Sequence, residues 1–275
     1  MRQRAITAAV LVPVLLIVLA LGGPALAIAI AIITALAALE VFRLLGTAGY
    51  QPLTALGIAL ALAVVLDAAV PTELEGSGLL LGAVGIVLVA IASFGRLDPH
   101  DGLATWMATI FGALYVSLLS FVIRLGLAAP VIPPGSPLTG LGAERAWILL
   151  LILAVWSYDT GAYLVGKQFG RRKFLTHISP SKTYAGLVGG IAATTIVVAV
   201  ALWAVGQSPL HAIVLGPLIA FAAQAGDLAE SVLKRAAGAK DSGTLIPGHG
   251  GMLDRIDSFL FAAPVVTLYV VAVFG

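Results

Sequence analysis

The chain has 275 residues, 60% of them hydrophobic and only 10% charged, with a mean hydropathy of +1.09, which excludes an ordinary soluble domain. Its long apolar stretches show little period-2 alternation, so they suit helices spanning roughly 30 Å of hydrocarbon better than barrel strands. With no cysteine there is no disulfide, thiol nucleophile or thiolate-bound metal, and the net charge of +2 says less than its distribution.

Charged clusters and Gly/Pro turns divide the chain into about nine apolar segments, at roughly 5–21, 24–42, 52–70, 78–95, 103–124, 146–166, 185–205, 209–225 and 258–275. The expected fold class is an all-α integral membrane protein, a polytopic bundle of about nine transmembrane helices with its active-site loops on the cytoplasmic face. Arg2 and Arg4 favour a cytoplasmic N-terminus. Counting from there, Arg2, Arg4, Arg43, Arg96, Lys167, Arg171, Arg172, Lys173, Lys182, Lys234, Arg235, Lys240 and Arg255 fall inside, and only Arg124 and Arg145 outside. Such asymmetry supports the topology, and nine crossings place the C-terminus outside.

Ala25-Leu26-Ala27 resembles a signal-peptide cleavage site, but the apolar sequence continues to Leu39 and "GGP" at 22–24 reads as a hairpin between two helices, so the segment is expected to stay uncleaved. The Pro/Gly-rich stretch 130–145 is an outer loop with little chemistry. No fixed-period repeat is present, which weakens an inverted-repeat transporter reading. Gly186 and Gly190 form a GxxxG pattern that reads as close helix packing. Residues 1–145 are expected to supply about five N-terminal transmembrane helices, and 146–275 a catalytic region with polar cytoplasmic loops at 167–185 and 226–257.

The chemistry concentrates in two stretches. "SYDTGAYLVGKQFGRRKFLTHISPSKTYAG", 157–186, and "GDLAESVLKRAAGAKDSGTLIPGHGGMLDRIDS", 226–258, together hold 9 of the 15 basic and 6 of the 13 acidic residues. Asp159 interrupts an apolar helix, where a mid-depth aspartate costs about 2.5–3.5 kcal/mol. It shares a face with Tyr163 and Gly166 and is either a metal or substrate group, or an interfacial carboxylate solvated or paired to Lys167. Asp227, Glu230, Ser231 and Lys234 follow at i, i+3, i+4 and i+7, one polar stripe if helical, with Lys234 and Arg235 toward the negative end of the dipole. A solvated amphipathic helix has the same pattern. The spacing returns in Asp254, Asp257 and Ser258.

Carboxylates without cysteine and with little histidine suit a hard cation, Mg²⁺ above all, which works with one or two carboxylates plus substrate phosphates. The two acidic faces, Asp227 with Glu230 and Asp254 with Asp257, together with Asp159 on a third helix are expected to make a carboxylate cage. Lys182, Lys234, Arg235, Lys240 and Arg255 are suited to neutralising phosphates. In "SPSK", Ser179 reads as an N-cap and Pro180 as the first residue of the following helix, aiming free N–H groups at an anion. Gly248, Gly250 and Gly251 permit a backbone nest around phosphate oxygens, and His249 can donate a proton or hydrogen bond. A basic loop that merely anchors anionic lipid headgroups would be weakened by the six nearby acids.

These residues resemble the signature of the phosphatidate cytidylyltransferases, the CDP-diacylglycerol synthases. The run Ser231 to Ser258 carries Ser-x-x-Lys-Arg, then Lys240-Asp241, then Pro-Gly-His-Gly-Gly, then Asp-Arg-x-Asp, and "DTGAYLVGKQFG" and "ISPSKTYAG" stand upstream in the family's order. The resemblance covers residues 157–258; the N-terminal half matches only in hydropathy. One position departs: after Ser179-Pro-x-Lys182-Thr183 the family usually has glutamate, and this chain has Ala185. Whatever that glutamate does is absent here or supplied elsewhere.

The resemblance implies the reaction of CTP with phosphatidate to give CDP-diacylglycerol and pyrophosphate, with Mg²⁺ alone or beside a second cation, at the cytoplasmic face of the cell membrane. It implies Asp159, Asp227 and Asp254 as metal ligands, with Asp257 and Glu230 supporting them. Lys182, Lys234, Arg235, Lys240 and Arg255 would hold phosphates beside Ser179, Thr183, Ser231, Asp241 and the Gly248–Gly251 turn. The partners expected are CTP, phosphatidate and the bilayer, with no nucleic acid, and a homodimer by family resemblance. The nearest rival is another CTP-dependent lipid enzyme such as a polyprenol kinase, separated by its products, CDP and phospholipid. An ion-coupled transporter would carry polar groups in both halves near mid-membrane, whereas the first five segments hold only Asp67 and terminal charges.

Overall fold

The computed structural model describes residues 2–70, 77–246, 248 and 250–275. Among them all regular structure is helical, apart from two isolated bridges, Lys173 to Thr183 and Ile246 to Gly250. Ten α-helices follow in order: α1 (Arg2–Leu21), α2 (Gly23–Thr47), α3 (Thr54–Ala69), α4 (Ser77–Ser93), α5 (Pro99–Ser117), α6 (Phe121–Ala128), α7 (Ala143–Phe169), α8 (Tyr184–Ala204), α9 (Ala212–Ala236) and α10 (Leu253–Phe274). A single 3-10 turn, Leu118–Ser120, joins α5 to α6, and the two make one apolar span, Pro99–Ala128. Among the described residues six spans are long and apolar enough to cross a membrane, and Ala9–Leu21, Thr54–Ala69 and Leu80–Ser93 are shorter apolar helices. The protein is therefore a multi-pass α-helical membrane protein, and the nine apolar segments of the sequence correspond to these nine.

Helix ends differ from the apolar boundaries where polar residues continue the helix. The α5 helix begins at Pro99, because Asp98 caps it by accepting from the His100 N–H at 2.8 Å. The α9 helix runs eleven residues past Ala225 through "GDLAESVLKRA", whose Ala, Leu, Glu, Lys and Arg are good helix formers, with Lys234 and Arg235 in the last turn. The α10 helix starts at Leu253, so Asp254, Asp257 and Ser258 lie on its first two turns.

One expected cap is corrected. Ser179 does not cap α8; Thr183 does, with its hydroxyl accepting from the Gly186 N–H at 3.1 Å. The cause is the loop before it. Phe174 N–H donates to the Lys182 carbonyl at 3.2 Å and Tyr184 N–H to the Arg172 carbonyl at 3.1 Å, which holds Thr183 extended. The Ser179 N–H instead donates to the Leu175 carbonyl at 2.9 Å, so "SPSK" forms a turn inside that loop.

The chain divides into two compact units, Met1–Ile123 with Val232–Ile256, and Arg124–Ser231 with Asp257–Gly275. In the first, α2, α3 and α5 pack around the buried Phe42 ring, which fills the space left by the missing side chains of Gly57 and Gly112. In the second, α7 and α8 pack closely. A methyl on Gly161 would stand 2.8 Å from the Gly189 carbonyl oxygen, and one on Gly190 would meet the Tyr158 ring at 2.5 Å. Gly186 lies against the Ala162 carbonyl, so the GxxxG pattern serves helix packing as expected. Tyr158 is fully buried, and its hydroxyl donates to Gln224 Oε1 at 2.6 Å, tying α7 to α9.

Because backbone rather than a mobile side chain blocks the space, Gly161→Leu is expected to lower stability by at least about 1–3 kcal/mol. Leu164→Ala, at an exposed position of the same helix, should change it by less than about 0.5 kcal/mol. Thermal melts of the detergent-purified protein check this, and equal melts for the two variants would contradict the packing.

Candidate active site

In the second unit the polar residues converge at the end of α7, the start of α8 and the later turns of α9. Asp159, Tyr163 and Lys167 of α7 line a recess of about 310 Å³ with Ser181, Lys182 and Thr183 of the loop, Gly186 and Leu187 of α8, and Gln224 of α9. Asp159 is exposed. The Lys167 ammonium lies over the Tyr163 ring, 5.7 Å from its centroid. Lys182 reaches across to form an ion pair with Asp227.

Asp227, Glu230 and Asp257 offer carboxylate oxygens that all lie within 4.8 Å of one another. Two features of the sequence make this possible. Asp227 and Glu230 are one helical turn apart on α9, and Gly226 has no side chain, so the α10 backbone at Asp257 and Ser258 comes close. Glu230 is 1% exposed. Three carboxylates this close, one of them buried, repel one another in a low dielectric, and Lys182 pairs with one of them, Asp227. An all-oxygen donor set of three carboxylates fits a hard divalent cation. Asp227 is thus brought together with Glu230 and Asp257, which the sequence reading had placed in support.

In the first unit Asp254 sits in a different arrangement. Its Oδ1 accepts from Lys234 Nζ at 2.7 Å, and its Oδ2 accepts from the Ser242 N–H at 3.0 Å, the Ser242 hydroxyl at 3.0 Å and the Gly251 N–H at 2.8 Å. Charge-assisted bonds of this kind are stronger than neutral ones and fix the carboxylate's orientation. Arg235, Lys240, Asp241 and Arg255 are exposed, and Arg235 donates to the Ala239 carbonyl at 3.0 Å. Gly248 and Gly250 take positive φ of 75° and 81°, the left-handed geometry expected of the turn, and Gly250 accepts from the Ile246 N–H at 2.9 Å. His249 lies outside the described residues. Ser179, Thr183 and Ser231 are buried in the second unit, Thr183 as the α8 cap.

Three further polar groups escaped the sequence reading. Gln224 lies one turn before Asp227 and lines the recess, and Ser242 bonds to Asp254. Glu40, 4% exposed, accepts from Ser242 and from two backbone N–H groups at the start of α10. The signal that singled out Asp159, a polar residue inside an apolar run, also marks Gln224, whereas Glu40 stands near the end of its run among the terminal charges.

A polytopic membrane protein whose helix ends gather carboxylates, lysines and arginines is organised for phosphate chemistry at a membrane surface. The chain belongs to the cytidylyltransferase family, whose sequence pattern matches residues 2–273. It is 35% identical over 290 aligned positions to a phosphatidate cytidylyltransferase of Synechocystis, covering 98% of this chain and 96% of that protein. It is 47% identical over 121 residues to the phosphatidate cytidylyltransferase of Bacillus subtilis, covering 43% of this chain and 45% of that one. Phosphatidate cytidylyltransferase 4, chloroplastic, of Arabidopsis thaliana is 44% identical over 170 residues, 56% of this chain and 43% of the plant protein.

The carboxylate cluster generates a direct test. Glu230→Gln keeps the size of the side chain but removes one charge, and is expected to weaken Mn²⁺ binding by about 10–100-fold. Electron paramagnetic resonance titration of the purified protein reads this, and unchanged affinity would contradict a cation at the cluster.

Proposed function

We propose that this protein is a phosphatidate cytidylyltransferase, converting CTP and phosphatidate to CDP-diacylglycerol and pyrophosphate. The observation that carries this is the Asp227, Glu230 and Asp257 cluster with Lys182 bound to it, in a chain matched almost end to end by a relative of that name. An oxygen of the phosphatidate phosphate attacks the α-phosphorus of CTP. The bond from that phosphorus to the oxygen bridging the α- and β-phosphates breaks, and its electron pair leaves with pyrophosphate. The attacking oxygen is already anionic at neutral pH, so no activated serine or cysteine is required.

The residues then have distinct work. Asp227, Glu230 and Asp257 would hold Mg²⁺, and Asp159 faces the same recess as Lys182. The chemistry a bound Mg²⁺ supplies there is neutralisation of phosphate charge as it shifts toward the leaving group. Lys182 orients Asp227 and presents positive charge to the recess. Lys234 and Asp254 hold one another in place, while Arg235, Lys240 and Arg255 supply exposed cationic groups for the triphosphate and the lipid phosphate. Gly248, Gly250 and Gly251, with His249 and Asp241, are proposed to receive phosphate oxygens; Ser179, Thr183 and Ser231 complete the substrate-binding set. Alignment and charge compensation account for the catalysis, with no covalent intermediate on the protein.

The asymmetry of the basic residues supports a cytoplasmic side for this chemistry, with the N-terminus inside, at the inner membrane. We take the working form to be a homodimer, on family resemblance. Membranes containing the protein, incubated with labelled CTP, phosphatidate and Mg²⁺, are expected to yield CDP-diacylglycerol. Asp227→Asn and Asp254→Asn should each lower kcat by about 10²-fold or more; full activity in both would refute the mechanism.

A further inference from the structure

Glu40 is a charged residue near the end of an apolar membrane-spanning helix, and it is 4% exposed. Burying a carboxylate there is costly unless donors surround it. Its donors come from more than 200 residues away. Oε1 accepts from the Met252 N–H at 2.9 Å, while Oε2 accepts from the Leu253 N–H at 2.8 Å and the Ser242 hydroxyl at 2.9 Å. Helix α10 begins at Leu253, so Glu40 satisfies N–H groups that the helix start leaves without intrahelical partners. Ser242 contacts Glu40 and Asp254 alike. Its single hydroxyl hydrogen serves one carboxylate at a time.

The glycines around it fit this side chain. A methyl on Gly243 would stand 2.7 Å from Glu40 Oε1, and one on Gly251 would collide with Ser242 Oγ and Glu40 Oε2. The Gly251 N–H already donates to Asp254. Gly251 thus clears room for Glu40 and the Ser242 hydroxyl, and Gly250 for Asp254, whose Oδ2 would stand 2.6 Å from a methyl there.

We propose that Glu40 is a positioning residue for the cytidylyl transfer: through Ser242 and the first N–H groups of α10 it fixes the Ser242–Leu253 loop, and with it the orientation of Asp254 and Arg255. This rests on the reading of Asp254 and Arg255 as reaction groups. The structural claim is that the N-terminal half contributes to the site as well as anchoring it.

Full-length protein in micelles containing phosphatidate, with rates normalised to folded protein by gel filtration and near-ultraviolet circular dichroism, provides the test. Glu40→Gln turns one acceptor oxygen into a donor, leaving an N–H of α10 unmet. Its kcat should fall about 10²-fold, with KM for CTP within about threefold of wild type. Ser242→Ala should lower kcat about tenfold, and the double variant should be no worse than Glu40→Gln alone, because both cut the same connection. Wild-type kcat per folded molecule in Glu40→Gln, with only a lower melting temperature, would overturn the proposal. If Glu40→Gln does not fold, wild-type kcat in Ser242→Ala overturns it equally. Wild-type protein that forms no CDP-diacylglycerol would sink the reading of the reaction instead, a distinct result.

Discussion

A carboxylate carried into apolar surroundings has to be met by donors or by cations, and the functional architecture of this protein follows from how that requirement is satisfied. Glu40 is met by two backbone N–H groups and a hydroxyl, and Asp254 by Lys234, Ser242 and Gly251. Asp227 is met by Lys182, and stands with Glu230 and Asp257 in a group whose carboxylate oxygens all lie within 4.8 Å of one another. Apolar residues would usually serve stability better than buried ions. In the reading proposed above, the charged groups at the ends of α9 and α10 serve the chemistry performed there.

The placement also suits the substrates. CTP is confined to water and phosphatidate to the bilayer, so the groups that join them belong where helices leave the hydrocarbon. Helices α9 and α10 carry both parts of the assignment, since each is apolar over most of its length and acidic at one end. Close α7 to α8 packing through Gly161, Gly186 and Gly190 gives the recess with Asp159 and Lys182 a rigid frame.

Much of this was legible in the sequence. The nine apolar segments are a matter of composition, and polar residues at i and i+3 on both sides of "GHGG" could be read directly as two acidic helix faces. Which faces meet could not, because that depends on helix crossing: Gly226, unremarkable in sequence, sets the approach that unites Asp227 and Glu230 with Asp257. Ser179 followed by Pro180 was a stronger local cap signal than Thr183, yet backbone bonds from Phe174 and Tyr184 hold Thr183 extended and move the helix start. Glu40 reads in sequence as a charge marking the end of a span. Its partners are discoverable only when the fold brings residue 242 to residue 40.

The central claim is that the nucleotide's α-phosphorus is the centre attacked. The most direct measurement compares CTP labelled at the α-phosphate with CTP labelled at the γ-phosphate, in the presence of phosphatidate, Mg²⁺ and the purified protein. The account predicts that the α-label passes into the lipid product and the γ-label leaves as pyrophosphate. Transfer of the γ-label to lipid, with CDP released, would contradict it.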